Sequence, residues 1–93
     1  MPTVMLMHWP EVSPEQYEAV RKEVNWEGDH PDGGKLHVAW FDRGLHVLDL
    51  WESRQQFERF ASERLMPGVQ KVDVQGQPDV QISESHAIFV PNL

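Results

Sequence analysis

Asp49 lies between Leu48 and Leu50, inside the otherwise apolar run Leu45 to Trp51. A carboxylate in such a strand loses water unless a partner replaces it. Desolvation makes a carboxylate a stronger base, suited to taking a proton from an acidic phenol or enol. The alternative is a structural acid, paired with a basic side chain or a backbone donor. Five histidines accompany it: His8, His30, His37, His46 and His86. None falls into an H-x-H, H-x₃-H or HExxH spacing, so no metal-ligand set is expected. His8 and His86 belong to segments expected to be neighbouring strands, and a pair of histidines beside Asp49 would form a proton-transfer set. The bland alternative for each histidine is an exposed or singly hydrogen-bonded ring. Four tryptophans, Trp9, Trp26, Trp40 and Trp51, are many for 93 residues. Their rings can wall a flat pocket or serve as core and interface packing. Asp49 and His86 are therefore the candidate proton acceptors, with Trp40, Trp51 and His8 as candidate substrate contacts.

The elements that must position these groups follow from pattern. Thr3 to Trp9 is apolar on both parities, which predicts a strand covered on both faces. Ser13 opens a helix, with Pro14 at its first position and Gln16 completing an S-x-x-Q capping box. Tyr17, Val20 and Val24 form its buried stripe, and Gly28 to Gly34 reads as a loop. His37 to Phe41 and Leu45 to Trp51 are two strands separated by Asp42-Arg43-Gly44. With Arg43-Gly44 as the turn centre, Phe41 opposes His46 and Ala39 opposes Leu48. Leu36, Val38, Trp40, Val47, Asp49 and Trp51 then share one face, and His37, Ala39, Phe41, His46, Leu48 and Leu50 the other. Ser53 and Gln56 form a second capping box, for a helix from Arg54 to Leu65 that Met66-Pro67-Gly68 stops. Gln70 to Asp79 reads as a connection with a short strand at Lys71 to Val74, and Val80 to Val90 as the last strand.

The order β-α-β-β-α-β predicts an α+β, ferredoxin-like domain: a four-stranded antiparallel sheet with two helices on one face. The helices cover one side of the sheet, and the other side still carries Trp, Val, Leu and Met. A chain of this length buries only roughly 60–65% of its unfolded surface. A second copy packed sheet to sheet would cover the rest, so a homodimer is expected. The formal charge of −7, from 15 acidic and 8 basic residues, disfavours nucleic acid and anionic membrane as partners. No apolar run approaches the roughly 18 residues of a membrane span. The N-terminus lacks the basic start and cleavage site of a signal peptide. With no cysteine, the cytoplasm is the expected location.

The whole layout, together with Leu50-Trp51-Glu52-Ser53 and the aromatic Phe57 that follows, resembles the dimeric α/β-barrel superfamily. It is most similar to antibiotic biosynthesis monooxygenase-like (ABM-like) proteins. The resemblance implies a single ABM-like domain over residues 1–93, closing a dimeric α/β barrel. The superfamily includes cofactor-free oxygenases, haem-degrading enzymes and muconolactone isomerases. Trp51 matches a tryptophan that lines the pocket in several of its members. The haem-degrading members also use a His near the end of the second helix and an Asn near the end of the first strand. Here Phe60 to Arg64 and Met7-His8-Trp9 occupy those stretches, which argues against that route.

The resemblance therefore implies a cofactor-independent monooxygenase, or a related isomerase or cyclase, acting on a small aromatic or enolic compound. No cofactor fingerprint is present, since Gly33-Gly34 lacks the spacing of a phosphate loop. Two other functions fit the same fold: a non-catalytic dimeric binding or accessory protein, and a haem- or metal-binding variant using the histidines.

Overall fold

The structure, a computed structural model, describes residues 1–92. Its strands are β1 (Thr3–Trp9), β2 (Gly34–Phe41), β3 (Leu45–Trp51) and β4 (Asp79–Glu84), and its helices α1 (Pro14–Val24), α2 (Arg54–Phe60) and α3 (Met66–Val72). The sheet order is β2-β3-β1-β4, with every neighbouring pair antiparallel. This is the α+β, ferredoxin-like arrangement with the helices on one face.

The first expected capping box forms in full and the second only in half, the Gln56 side chain accepting from the Ser53 hydroxyl and not from its amide. Ser13 accepts from the Gln16 amide while the Gln16 side chain accepts from the Ser13 amide, and Ser53 accepts from the Gln56 amide. Each satisfies donors that a helix start otherwise leaves unpaired. α1 ends at Val24, where Asn25 takes the left-handed conformation (φ 57°) as a C-cap.

The second helical arm differs from expectation. Met66-Pro67-Gly68 does not stop it, and the helix continues through α3 to Val72. A π-helical stretch, Ala61–Leu65, joins α2 to α3, and the Met66 amide bonds the Ala61 carbonyl one residue further back than usual. Widening the helix just before Pro67 accommodates a residue that has no N–H to donate. Gly68 then lets α3 approach α1, since a side chain there would strike Val24. The short strand expected at Lys71 to Val74 is absent; Asp73 (φ 63°) caps the helix instead.

The hairpin register also corrects the sequence reading. Its turn spans three residues, Asp42, Arg43 and Gly44, so Phe41 pairs with Leu45, Trp40 with His46 and His37 with Asp49. Arg43 (φ 55°) and Gly44 (φ 101°) both take left-handed conformations. The extra turn residue shifts the pairing by one and exchanges faces along β2. Trp40 therefore lies on the side opposite Asp49 and Trp51, and His37 shares their side. A bulge at Lys35 shifts the register by one residue, so that Gly34 pairs with Trp51.

β4 is also shorter than the expected run to Val90. It ends at Glu84, opposite Thr3, and Ser85 closes the pairing by donating its backbone N–H and its hydroxyl to the Pro2 carbonyl. Pro2 has no N–H to return, and β1 offers no further partner.

The core lies between sheet and helices. Met5, Met7 and Trp9 from β1 and Leu45, Val47 and Trp51 from β3 meet Val20, Val24, Phe57 and Val69. The opposite face of the sheet carries Val4, Leu6, Leu36, Val38, Trp40, Leu48 and Leu50. There Leu6, Val38 and Trp40 are 40%, 46% and 43% exposed. No helix among the described residues is long and apolar enough to cross a membrane.

The turn is the test of this register. Replacing Gly44 with Ala strains a positive-φ position and drives a Cβ into the Pro10 backbone. We expect a loss of about 1–3 kcal/mol or more, read as a lowered urea midpoint. An unchanged midpoint would contradict the turn geometry.

Candidate active site

Three elements contribute to one hydrogen-bonded chain. α1 directs Tyr17 towards the sheet, because Tyr17 shares its stripe with buried Val20 and Val24. β2 and β3 place His37 and Asp49 opposite each other, at their paired positions. Trp51 follows two residues along β3, on the same face by strand parity. Asp49 is 7% exposed. Its Oδ1 lies 2.7 Å from His37 Nδ1, and its Oδ2 accepts from Trp51 Nε1–H at 3.1 Å. His37 Nε2 lies 2.7 Å from the Tyr17 hydroxyl.

Hydrogen-bond chemistry assigns direction to this chain. The indole N–H only donates, so Asp49 accepts it. Accepting a second proton from His37 Nδ1 satisfies the other carboxylate oxygen. The neutral imidazole then carries its lone pair on Nε2, where the Tyr17 O–H donates. The carboxylate thus fixes both the tautomer and the ring plane of His37. Trp26 packs at 5.2 Å from the imidazole and Tyr17 lies parallel to it at 6.1 Å between centroids.

This chain borders a cavity of about 330 Å³ between the sheet and the helices. Met5, Met7, Trp9, Val47, Trp51 and Phe57 form much of its wall, and His30, Pro31 and Lys35 line it from the loop before β2 and from its start. That volume falls in the range of small-molecule sites, and the few polar groups converge at one end. The loop is anchored at both ends. Arg64 donates to the Val24 and Asp29 carbonyls, and the Glu52 amide to the Gly33 carbonyl.

The sequence candidates separate into two groups. Asp49 and Trp51 meet at the cavity. His8 and Trp40 lie on the opposite face of the sheet, where both stack on His46, with ring centroids 4.2 and 5.2 Å away. His8 and His46 bond the Arg43 and Asp42 carbonyls of the turn. His86 is exposed beyond the end of β4 and does not meet His8. Two residues of the chain escaped the sequence reading. His37 was hidden by the one-residue register shift, and Tyr17 reads as part of a core stripe. A polar-tipped Tyr in that stripe, facing the strand that holds Asp49, is the signal that points to it. Among the described residues, no group of three or more His, Asp or Glu is arranged to hold a metal ion.

Burial pushes the Tyr17 hydroxyl up from 10.0 to about 12; Arg21 opposes this, while Glu18, Glu27 and Asp49 add to it. Tyr17 is thus a neutral donor at physiological pH. Arg21 holds the Glu27 carboxyl below its usual range through their hydrogen bond, at 2.6 Å.

The fold and the cavity define a class: an α+β, ferredoxin-like chain with an apolar pocket between its sheet and helices. The sequence matches no family model and no curated protein. Solved structures do match the fold over nearly the whole chain. A protein of unknown function from Nitrosomonas europaea, NE2512, superposes with a TM-score of 0.69 at 13% identity, covering 98% of this chain and 95% of that one. A monooxygenase from the gene ActVA-Orf6 of Streptomyces coelicolor, in complex with nanaomycin D, gives 0.68 at 16%, covering 98% and 93%. SnoaB, a cofactor-independent oxygenase from Streptomyces nogalater, gives 0.62 at 14%, covering 98% and 96%. The chain has the ABM-like fold.

The Tyr17 shift has a consequence for stability. The folded state holds the phenolic proton more tightly than the unfolded chain, so the contribution is complete below pH 10.0 and disappears as pH rises towards about 12. Tyr17→Phe should flatten this alkaline loss, measured as urea midpoints on either side of that window. Because the ring is only half-buried, the difference should be small. Identical alkaline profiles for the two proteins would contradict the assignment.

Proposed function

We propose that residues 1–93 form a single ABM-like domain that works as a cofactor-independent monooxygenase on a small aromatic or enolic compound. The observation that carries this reading is the Asp49–His37 pair beside an apolar cavity, a buried carboxylate bonded to an imidazole that stays accessible. Likeness to oxygenases of the same fold supports it, and the pair supplies what such chemistry needs from the protein. His37 Nε2 accepts a proton from an acidic carbon or hydroxyl of the substrate, and Asp49 stabilises the resulting imidazolium. Trp51 holds the other Asp49 oxygen and offers its ring to the substrate. The carbanion then transfers an electron to O₂ and combines with it to a peroxide. Loss of water from a doubly activated methylene leaves a carbonyl, so that R₂CH₂ and O₂ become R₂C=O and H₂O. An isomerisation or cyclisation would use the same proton transfer without O₂.

Of the candidates read from the sequence, Trp51 keeps its role in this proposal, while Asp49 stays at the site as the partner of the base and no longer as the base itself. His37 takes the place given to His86. Trp40 and His8 move from the pocket to the outer face of the sheet. That face supports a second part of the reading, a homodimer packed sheet to sheet. Leu6, Val38 and Trp40 are exposed there. The absence of cysteine agrees with the cytoplasm as its location.

Asp49→Asn tests the catalytic reading. Both neighbours of Asp49 donate protons to it, so the amide NH₂ must face one of them. Turning His37 to the other tautomer relieves this but removes the lone pair from Nε2. Oxidation of an anthrone-type phenol, followed by O₂ consumption, should fall about 10²–10⁴-fold. Turnover equal to wild type would exclude the pair as the base, and binding without any turnover by wild type would favour a non-catalytic ligand-binding protein.

Leu6→Lys tests the dimer by placing a charge at the centre of the outer face. Light scattering should show about twice the 10.8 kDa chain mass for wild type and a single chain for the variant. A wild-type monomer at micromolar concentration would end the dimer proposal.

A further inference from the structure

The Tyr17 hydroxyl has no part in the proton abstraction just described, yet it is bonded to the atom that performs it. Its position suggests a second task. The Tyr17 oxygen and His37 Nε2 are 2.7 Å apart, so one further oxygen atom can lie within hydrogen-bond reach of both. Both side chains line the inner cavity. Both also line a second, more polar hollow of about 350 Å³ on the other side of the pair, together with Glu18, Arg21 and Glu27. The pair is therefore the partition between the apolar cavity and a charged, outward-facing groove.

We propose that Tyr17 and His37 form an oxyanion site for phenols and enols, with the Tyr17 O–H donating to the substrate oxygen as that oxygen becomes negative. This rests on the reading of the cavity as a ligand site and extends it to a catalytic donor and to a substrate class bound through its oxygen. A substrate hydroxyl that approaches Nε2 gives its proton to the lone pair the Tyr17 hydroxyl otherwise occupies. The Tyr17 hydrogen rotates about its C–O bond towards the new oxyanion. One O–H bond breaks on the substrate and one N–H bond forms on His37, so no other reactant is needed. The oxyanion then accepts from two donors, Tyr17 O–H and His37 Nε2–H. Tyr17 suits this task because burial and the acids around it keep its own proton in place up to about 12. A donor that ionised more readily would lose its hydrogen and repel the oxyanion.

A chromophoric phenol separates this site from the oxygenase reading. 4-Nitrophenol and its methyl ether, 4-nitroanisole, have similar rings, but only the phenol can ionise. Wild type should bind 4-nitrophenol as the yellow phenolate, lowering its apparent pKa in the complex. Tyr17→Phe, which keeps the ring and its packing, should weaken phenolate binding about 10–100-fold, the usual worth of one hydrogen bond to a charge. Binding of 4-nitroanisole should be unchanged by the substitution, which a merely structural role for Tyr17 would not predict. Equal phenolate affinity in the two proteins overturns the proposal, as does wild type that binds 4-nitrophenol only in its neutral form or not at all. Phenolate binding lost in Tyr17→Phe, without anthrone oxidation by wild type, would support this site while overturning the oxygenase reading.

Discussion

The cross-strand pair between His37 and Asp49 is the interaction on which the rest of the site depends. Its existence follows from a counting constraint. Side chains alternate along a strand, so the number of residues in the hairpin turn decides which side chains of β2 meet which of β3. A three-residue turn, closed by left-handed Arg43 and Gly44, puts the imidazole opposite the carboxylate. One residue fewer would set Val38 against Asp49 and leave a buried charge with no side-chain partner on β2. Such an orphan costs far more than the net gain of an ordinary hydrogen bond. The pair therefore stabilises the register as much as the register creates the pair.

The same sheet presents two faces with different duties. On the helix side, Met5, Met7, Val47 and Trp51 make an apolar wall, and Asp49 is buried within it. That burial is tolerable because both of its oxygens are occupied, by an imidazole and an indole. The low-dielectric wall strengthens each of these bonds and holds the imidazole in one orientation. On the opposite side the chemistry is spent on stacking: Trp40, His46 and His8 form a flat aromatic column beside the turn, and the rest of the face is aliphatic. A polar chain set in an apolar wall suits a small-molecule site, and a flat aliphatic and aromatic surface suits another sheet.

Much of the architecture was legible in the residues themselves. The helix caps at Ser13 and Ser53, the apolar strand runs and the β-α-β-β-α-β order lead to the observed topology by local rules. Asp49 stood out for a sound reason, since an acid in an apolar strand needs an explanation. What escaped depended on geometry beyond the local pattern. Asp42-Arg43-Gly44 is compatible with a two- or a three-residue turn, and that single choice moved Trp40 out of the pocket and His37 into it. Pro67 reads as a helix stop, yet a π-helical turn absorbs it, because tertiary packing of Val69 and Gly68 against α1 rewards continuation. Tyr17 passes as core because the stripe is defined by period and not by where the hydroxyl ends. The alternation of Val80 to Val90 predicts a long strand, but pairing stops where β1 begins.

The arrangement also accounts for how a small chain can hold a buried carboxylate against an imidazole that solvent still reaches. Trp26 and Tyr17 pack on the imidazole from the α1 side, and Arg64 ties the loop after α1 to the second helical arm through two backbone carbonyls. The guanidinium acts there as a clamp on main-chain acceptors that the end of α1 would otherwise leave to solvent. Its position follows from the π-helical turn, since Arg64 is one of the five residues that widen the helix. The irregularity forced by Pro67 thus has a local use, because it aims the clamp at the loop that carries His30 and Pro31 along the cavity. Pro67 lines none of the cavity, yet the turn before it carries the side chain that holds the loop lining it.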